Sequence, residues 1–215
     1  MSQYLDLIIA NLPSQETATS FMKVLIDAHA REFREEPLAP LRTLQYDSEI
    51  EALKDLWFLP LLSEEPPVEK KVAGLWFGIF QPIREVEGSQ DTIIANDFYF
   101  SGSDEFEVDP TGDWACSAID TYWPENRYAG SGVLKAIYNS VVGNGQIIAE
   151  DQYLCVGYVA YAAKTFLSAA SSEFLCRPGE RVGVAVGWDS GDPLYLGYVT
   201  ERGFELDVQS PELEL

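Results

Sequence analysis

The chain has 215 residues, of which 47% are hydrophobic and 13% aromatic, and its 14 basic and 35 acidic residues leave a formal net charge of −21. This composition excludes a disordered chain, because there is ample apolar area to bury. The charge disfavours binding to nucleic acid or to an anionic membrane surface, since both repel an anionic protein.

The cysteines and the N-terminus indicate a cytoplasmic protein. The three cysteines are odd in number and lack the spacing of a metal site, which favours reduced thiols over a disulfide framework. No Lys or Arg precedes Lys23, so the positively charged start of a secretory signal is missing. We therefore expect a cytoplasmic location and no cofactor.

The first part of the chain is predicted to be helical. Residues 4–10 form an apolar run that fits a strand or a helix equally well. Apolar residues at helical spacing follow Ser14, a suitable N-cap, up to about Phe33. A second helix is predicted from Asp47, as its N-cap, to just before Pro60.

After residue 72 the pattern becomes that of strands. Residues 72–83 and 92–100 are rich in β-branched and aromatic residues, which predicts two paired strands. Residues 105–108 and 114–122 flank an Asp-Pro-Thr-Gly turn at 109–112, which predicts a further hairpin.

Helices and then strands follow. Ser131 can cap a helix that ends at Gly143, and residues 150–170 are apolar nearly all round, which predicts a central helix. Residues 210–215 are expected to be a mobile tail. The last predicted strands are 181–188, 194–200 and 204–208.

This order of elements predicts an α+β fold. We expect N-terminal helices, an antiparallel sheet built from two groups of strands, and two helices between the groups. The predicted divisions are a helical part at 1–62, a linker or long loop at 63–71 and an α+β part at 72–215, packed together as one globular unit.

The acidic residues are concentrated in one stretch. Residues 85–126 contain eleven carboxylates and no Lys, Arg or His, yet seven aromatic rings are interleaved with the acids. On strands, Asp97, Glu105 and Glu107 would alternate with the rings of Phe98 and Phe106, which predicts acids on a wet face and rings opposite. Such a stretch is typical of a folded anionic surface that attracts a basic partner, although an ordinary half-exposed sheet shows the same alternation.

Catalytic motifs are weak. The only histidine, His29, sits at helical spacing among apolar residues, which favours a residue at the edge of the core over a catalytic base. Carboxylates are so numerous that a pair for acid and base catalysis proves little. A hydrolase or small-molecule-binding protein remains the alternative, with Trp114, Tyr122, Trp123 and Glu125 as candidate residues of a sugar-binding cleft.

One block is densest in distinctive residues: Trp-Ala-Cys-Ser-Ala-Ile-Asp-Thr-Tyr-Trp-Pro-Glu-Asn-Arg-Tyr at 114–128. With the helix that follows, residues 114–142, it resembles acidic immunity proteins of bacterial polymorphic toxin systems. The resemblance implies a protein that neutralises a basic toxin, often a nuclease. No catalytic motif accompanies it.

The leading interpretation is therefore a non-enzymatic protein that binds a basic partner, most specifically a cognate toxin, and binds neither nucleic acid nor membrane. A third interpretation is an adaptor or structural domain whose acidity serves only solubility. The residues expected to contact the partner are Asp104, Glu105, Glu107, Asp109, Asp113, Asp120, Tyr122, Trp123 and Glu125.

Overall fold

The structure of this chain, a computed structural model, describes residues 3–32, 36–80, 83–85, 92–94, 97–108, 113–116, 122–142, 152–188 and 191–209. The helices are α1 (Gln3–Asn11), α2 (Ala18–Glu32), α3 (Tyr46–Leu53), α4 (Leu59–Glu64), α5 (Asp113–Cys116), α6 (Gly132–Val142), α7 (Gln152–Ala169) and α8 (Ser172–Leu175). The strands are β1 (Gly74–Phe80), β2 (Ile83–Glu85), β3 (Thr92–Ile94), β4 (Asp97–Ser103), β5 (Tyr128–Gly130), β6 (Val182–Trp188), β7 (Gly191–Thr200) and β8 (Gly203–Gln209).

Six strands form one sheet in the order β5-β4-β1-β6-β7-β8, and β2 pairs with β3 separately. The predicted α+β class is confirmed, and the sheet is mostly antiparallel. The exception is the pair β1 and β6, which is parallel and joins the two predicted groups of strands. The chain passes between these strands through α6 and α7, and a crossover of that length is what a parallel pair requires.

The N-terminal helices begin at other caps than those predicted. Residues 4–10 belong to α1, and Ser14 follows that helix, donating to the Asn11 carbonyl at 3.1 Å. The cap of α2 is Thr17, whose Oγ1 accepts from the Ser20 amide at 3.0 Å. The carboxylate of Asp47, which lies in the first turn of α3, accepts from the Ala18 amide at 2.6 Å. Asp47 therefore caps α2 from a distance and not its own helix.

Pro60 does not end the second predicted helix. A π-helical turn, Lys54–Phe58, lies between α3 and α4, and the Leu59 amide bonds to the carbonyl five residues back at Lys54. This wider turn accommodates a proline ring that would clash with the carbonyl four residues before it. The predicted loop at 63–71 consequently begins with the end of α4 and contains a 3₁₀ turn, Pro67–Glu69.

One face of the sheet packs against the helices. Phe77 of β1 points into this core, where its ring lies 5.7 Å from Phe58 of the π-helical turn, 4.8 Å from Phe100 of β4 and 6.3 Å from Phe166 of α7. Residues 153–163 of α7 are all buried, which confirms the predicted central helix. We call this side of the sheet the helical face.

Ser131 caps helix α6, as predicted, with the Leu134 amide donating to Ser131 Oγ at 2.9 Å. A second acid of α3 reinforces this start: Glu49 accepts from the Val133 amide at 3.2 Å and from the Ser131 hydroxyl. The hydroxyl of Tyr158 in α7 donates to the same carboxylate at 3.1 Å. Glu49 therefore ties three helices together at one point.

The opposite side of the sheet, which we call the second face, has glycine where strands ordinarily carry side chains. A Cβ at Gly74 of β1 would lie 2.5 Å from the ring of Trp114, and one at Gly183 of β6 would lie 2.2 Å from the ring of Phe106. Both distances are far below van der Waals contact. Two glycines in neighbouring strands therefore allow two aromatic rings to lie directly on the sheet backbone.

These rings belong to residues 104–108 and 113–116, which we call the docked segment. The ring centroids of Phe106 and Trp114 are 4.9 Å apart, and Trp114 meets Trp76 of β1 edge-on at 6.1 Å. Trp114 Nε1 also donates to the Tyr195 hydroxyl of β7 at 3.3 Å. These rings belong to a second hydrophobic cluster, which is separate from the core on the helical face.

The predicted hairpin of residues 105–108 and 114–122 is therefore wrong in its described parts. Residues 105–108 form no strand, 113–116 form the helical turn α5, and Tyr122 makes only an isolated bridge to Gly102. Within these described residues, the rings pack on the face of the sheet and the backbone does not join a strand. The predicted turn at 109–112, the helix end at Gly143 and the tail at 210–215 lie outside the described residues.

The free energy of unfolding should fall above about pH 10, the ordinary pKa of tyrosine. Burial, and then the Glu49 carboxylate, raise the pKa of Tyr158. The unfolded chain thus loses a proton that the folded chain keeps, at a limiting cost of about 1.4 kcal/mol per pH unit. In urea titrations, Tyr158→Phe should lose about 1 kcal/mol at neutral pH but decline less steeply above pH 10. Tyr128→Phe, at an exposed ring, is the control, and equal slopes for both variants would contradict this assignment.

Gly183→Ala should loosen the docked segment. The added methyl group displaces Phe106 from the sheet, and we expect a cost of about 1–3 kcal/mol in urea unfolding and faster proteolytic cleavage within the docked segment. Gly130→Ala is the matched control, because a Cβ there meets only Asp97 Oδ1, at 3.8 Å. A Gly183→Ala protein as stable and as resistant as the control would show that Phe106 does not hold the segment.

Candidate functional site

The acids of the docked segment point away from the sheet. Asp104, Glu105, Glu107 and Asp113 are all exposed, whereas Phe106 between them is partly buried on the sheet. The rings pack against the sheet and the carboxylates face away from it. We call the exposed carboxylates of Asp104, Glu105, Glu107 and Asp113 the anionic ridge. The prediction of acids opposite rings thus holds for Glu105, Phe106 and Glu107, although the segment is not a strand.

Asp97 does not follow that prediction. It is only 3% exposed, and every residue of β4 is buried, because the helices cover one face of this strand and the second hydrophobic cluster covers the other. The wet face predicted for Asp97 therefore does not exist. Asp109 and Asp120, two further predicted contact residues, lie outside the described residues.

Tyr122 is a core residue. It is 3% exposed, its ring lies 5.8 Å from Phe100, and its hydroxyl donates to the Glu65 carbonyl at 2.5 Å. Burial raises the pKa of this hydroxyl, and the nearby Glu65 carboxylate adds to the shift. Tyr122 fixes the entry of the chain into the turn that follows, and its ring is not on the exposed surface.

The exposed rings of this region are Trp123 and Tyr128, which are 44% and 49% exposed. The guanidinium of Arg127 lies over both, with its Cζ 4.8 Å from the Trp123 ring and 4.6 Å from the Tyr128 ring. We call these three residues the aromatic clamp. A cation over a ring face is stabilised by the ring quadrupole, so Arg127 holds the two rings in place.

Backbone contacts fix the turn that carries the clamp. The Phe100 amide of β4 donates to the Arg127 carbonyl at 3.0 Å, and Trp57 Nε1 donates to the Asn126 carbonyl at 2.8 Å. The Glu125 amide donates to the Glu65 carboxylate at 2.9 Å, and the side chain of Glu125 is exposed beside the clamp. This turn is thus anchored both to the sheet and to the helices.

A row of rings on the second face connects the clamp with the docked segment. The Tyr128 ring lies 6.1 Å from Tyr99, whose hydroxyl accepts from Trp76 Nε1 at 2.8 Å, and Trp76 meets Trp114. At the far end, the Phe106 ring lies 5.8 Å from Tyr198. The sequence showed the rings singly. On the second face of β1, glycine alternates with a large ring at every second residue, from Gly74 to Phe80. This alternation is the signal that would have indicated a surface on which other rings pack.

The clamp and the ridge are the candidate site for a partner. Tyr128 and Arg127 were not among the predicted contact residues, whereas Trp123 and Glu125 were. In the sequence, Arg127 is the first cation after the acidic stretch, and it was predicted to be able to lock the turn that presents Tyr122 and Trp123. Its position over two rings depends on the turn geometry, which no local pattern indicates.

Three residues considered for catalysis or for a sugar-binding cleft, His29, Trp114 and Tyr122, are buried. His29 is 3% exposed, between the rings of Tyr4 at 6.2 Å and Tyr153 at 5.6 Å, as its helical spacing predicted. Trp114 lies in the cluster on the second face and Tyr122 in the core on the helical face, so the two rings do not line one cleft.

Across the described part of the chain, no group of three His, Cys, Asp or Glu residues is arranged to hold a metal ion. Within the same residues, no helix combines the length and the apolar character that crossing a bilayer requires. Comparison with known proteins found no family model, no curated protein and no solved structure that matches this chain.

Proposed function

We propose that this chain binds a basic protein and masks its active surface, most specifically as an immunity protein that neutralises a basic toxin such as a nuclease. The observation that carries the proposal is the ridge of exposed carboxylates on a segment whose Phe106 and Trp114 rings pack against the sheet. An acidic tail that served only solubility would need no such support.

The physical logic concerns the rate of association. A nuclease presents cations to phosphate, and an anionic protein surface attracts the same cations and speeds the encounter. Acids on a fixed ridge lose little conformational freedom when the complex forms. Asp104, Glu105 and Glu107 would provide this attraction.

The aromatic clamp supports the same function in a different way. Binding energy in protein interfaces concentrates in a few Trp, Tyr and Arg residues. Trp123, Arg127 and Tyr128 have that composition, and their mutual stacking orders them before any partner arrives. The resemblance of residues 114–142 to acidic immunity proteins includes this clamp.

Capture of a stoichiometric basic partner from the source cells, with release by high salt, is the first test. Asp104→Asn/Glu105→Gln/Glu107→Gln should then slow association with that partner roughly tenfold at low salt and flatten its salt dependence, because less charge steers the encounter. Surface plasmon resonance measures both.

The matched control is Asp6→Asn/Glu16→Gln/Glu173→Gln, which removes the same charge at exposed positions outside the docked segment. If both triple variants associate at the same rate at low salt, the docked segment is not part of the interface. A captured partner that is not basic would contradict the proposal as a whole.

Trp123→Ala should act on dissociation. Loss of an interface anchor costs about 2 kcal/mol, or roughly 30-fold in Kd, expressed mainly as faster release. Trp123→Phe should retain much of the affinity, and Leu56→Ala, which truncates a side chain that is 81% exposed, should retain all of it. Unchanged dissociation of a folded Trp123→Ala protein would remove the clamp from the interface.

A further inference from the structure

Strand β8 is the last strand of the sheet in the described part of the chain. It bonds to β7 along residues 203–209, and within the described part of the chain no strand pairs with its outer edge. An open edge of this length is a template on which another extended segment can add.

The backbone of β8 shows which groups face outward. A Cβ at Gly197 of β7 would lie 2.1 Å from the Glu205 carbonyl oxygen and 2.6 Å from the Asp207 amide nitrogen. The backbone N–H and C=O groups of Glu205 and Asp207 therefore face β7. In a strand, the N–H and C=O groups of one residue point to one side and those of the next residue point to the other. The N–H and C=O groups of Leu206 and Val208 therefore point to the open edge.

The side chains along this edge divide by chemistry. Phe204, Leu206 and Val208 are partly buried against the core on the helical face. Glu205 and Asp207 are exposed on the second face. An added strand would therefore meet apolar groups on one side and carboxylates on the other.

The carboxylates on this edge are not neutralised within the described chain. Glu205 accepts from the Thr200 hydroxyl at 3.0 Å and Asp207 from the Gln209 side chain at 2.8 Å, and both donors are uncharged. Arg181, just before β6, lies over the ring of Tyr198, the β7 residue paired with Glu205, 3.2 Å from the ring centroid.

A second copy of this chain does not fit the edge. An antiparallel pair of β8 strands, centred anywhere from Glu205 to Asp207, sets carboxylate against carboxylate, and like charges directly opposite are destabilising. The net charge of −21 adds to that repulsion. The negative charge of this edge favours a partner segment that carries positive charge.

We propose that the outer edge of β8 binds an extended segment of a partner protein in which Lys or Arg alternates with apolar residues. The segment adds as a seventh strand, with its cations beside Glu205 and Asp207 and its apolar residues beside Leu206 and Val208. The inference rests on β8 alone and holds whether or not the partner is a toxin.

The probe is a capped nine-residue peptide in which Lys alternates with Val, added to the whole ¹⁵N-labelled protein at millimolar concentration. Amide exchange followed by NMR should slow at least tenfold at Leu206 and Val208. The amides of Glu205 and Asp207, already directed at β7, should change little. A peptide in which Glu alternates with Val and one with the Lys residues in a single block are the controls.

Glu205→Lys/Asp207→Lys should abolish protection by the Lys-Val peptide, while Asp6→Lys/Glu16→Lys, with the same change of charge at exposed residues away from β8, should retain it. Equal protection by the block peptide, equal loss in both double variants, or no protection at Leu206 and Val208 would overturn the proposal. Self-association through β8 in sedimentation experiments would also overturn it, by making a second copy the occupant.

Discussion

The contact of the Phe106 ring with Gly183 is the constraint on which the second face depends. A side chain at position 183 would occupy the place of the ring, and without the ring the acids on either side of it would have no fixed position. Glycine in a strand interior ordinarily weakens a sheet, because it buries no side chain. Here the missing side chain is replaced by one from another part of the chain, so the apolar area is still buried and a charged segment is held beside it.

Helix α3 has an equivalent role on the helical face. Asp47 caps α2 and Glu49 caps α6, so two acids from one helix satisfy the free amides of two others. A carboxylate near a helix N-terminus is also stabilised by the helix dipole. The highly acidic composition thus has two separate uses: some carboxylates hold the fold together internally, and others form the exposed ridge.

Much of the fold was predictable, because its signals are local. Helix α7 is apolar all round, Ser131 is a standard cap, and strands β6 to β8 have turn residues between them. Thr17, the local cap of α2, is a standard N-cap residue that was passed over for Ser14. The contribution of Asp47 was not predictable, since it acts 29 residues away from Ala18 and looks like a cap for its own helix. The candidate site was predictable in part. The exposed acids and Trp123 were identified, but the burial of Tyr122 and the role of Arg127 follow from tertiary packing.

The parallel pair at the centre of the sheet affects the order in which the protein can be built during synthesis. Register places Gly74 opposite Gly183. More than a hundred residues must therefore be synthesised after β1 before its parallel neighbour β6 exists. Contacts so distant along the chain slow folding and leave apolar strands uncovered meanwhile. The ridge of carboxylates cannot assemble until β6 has left the ribosome, so a truncated chain would carry the acids without the surface that orders them.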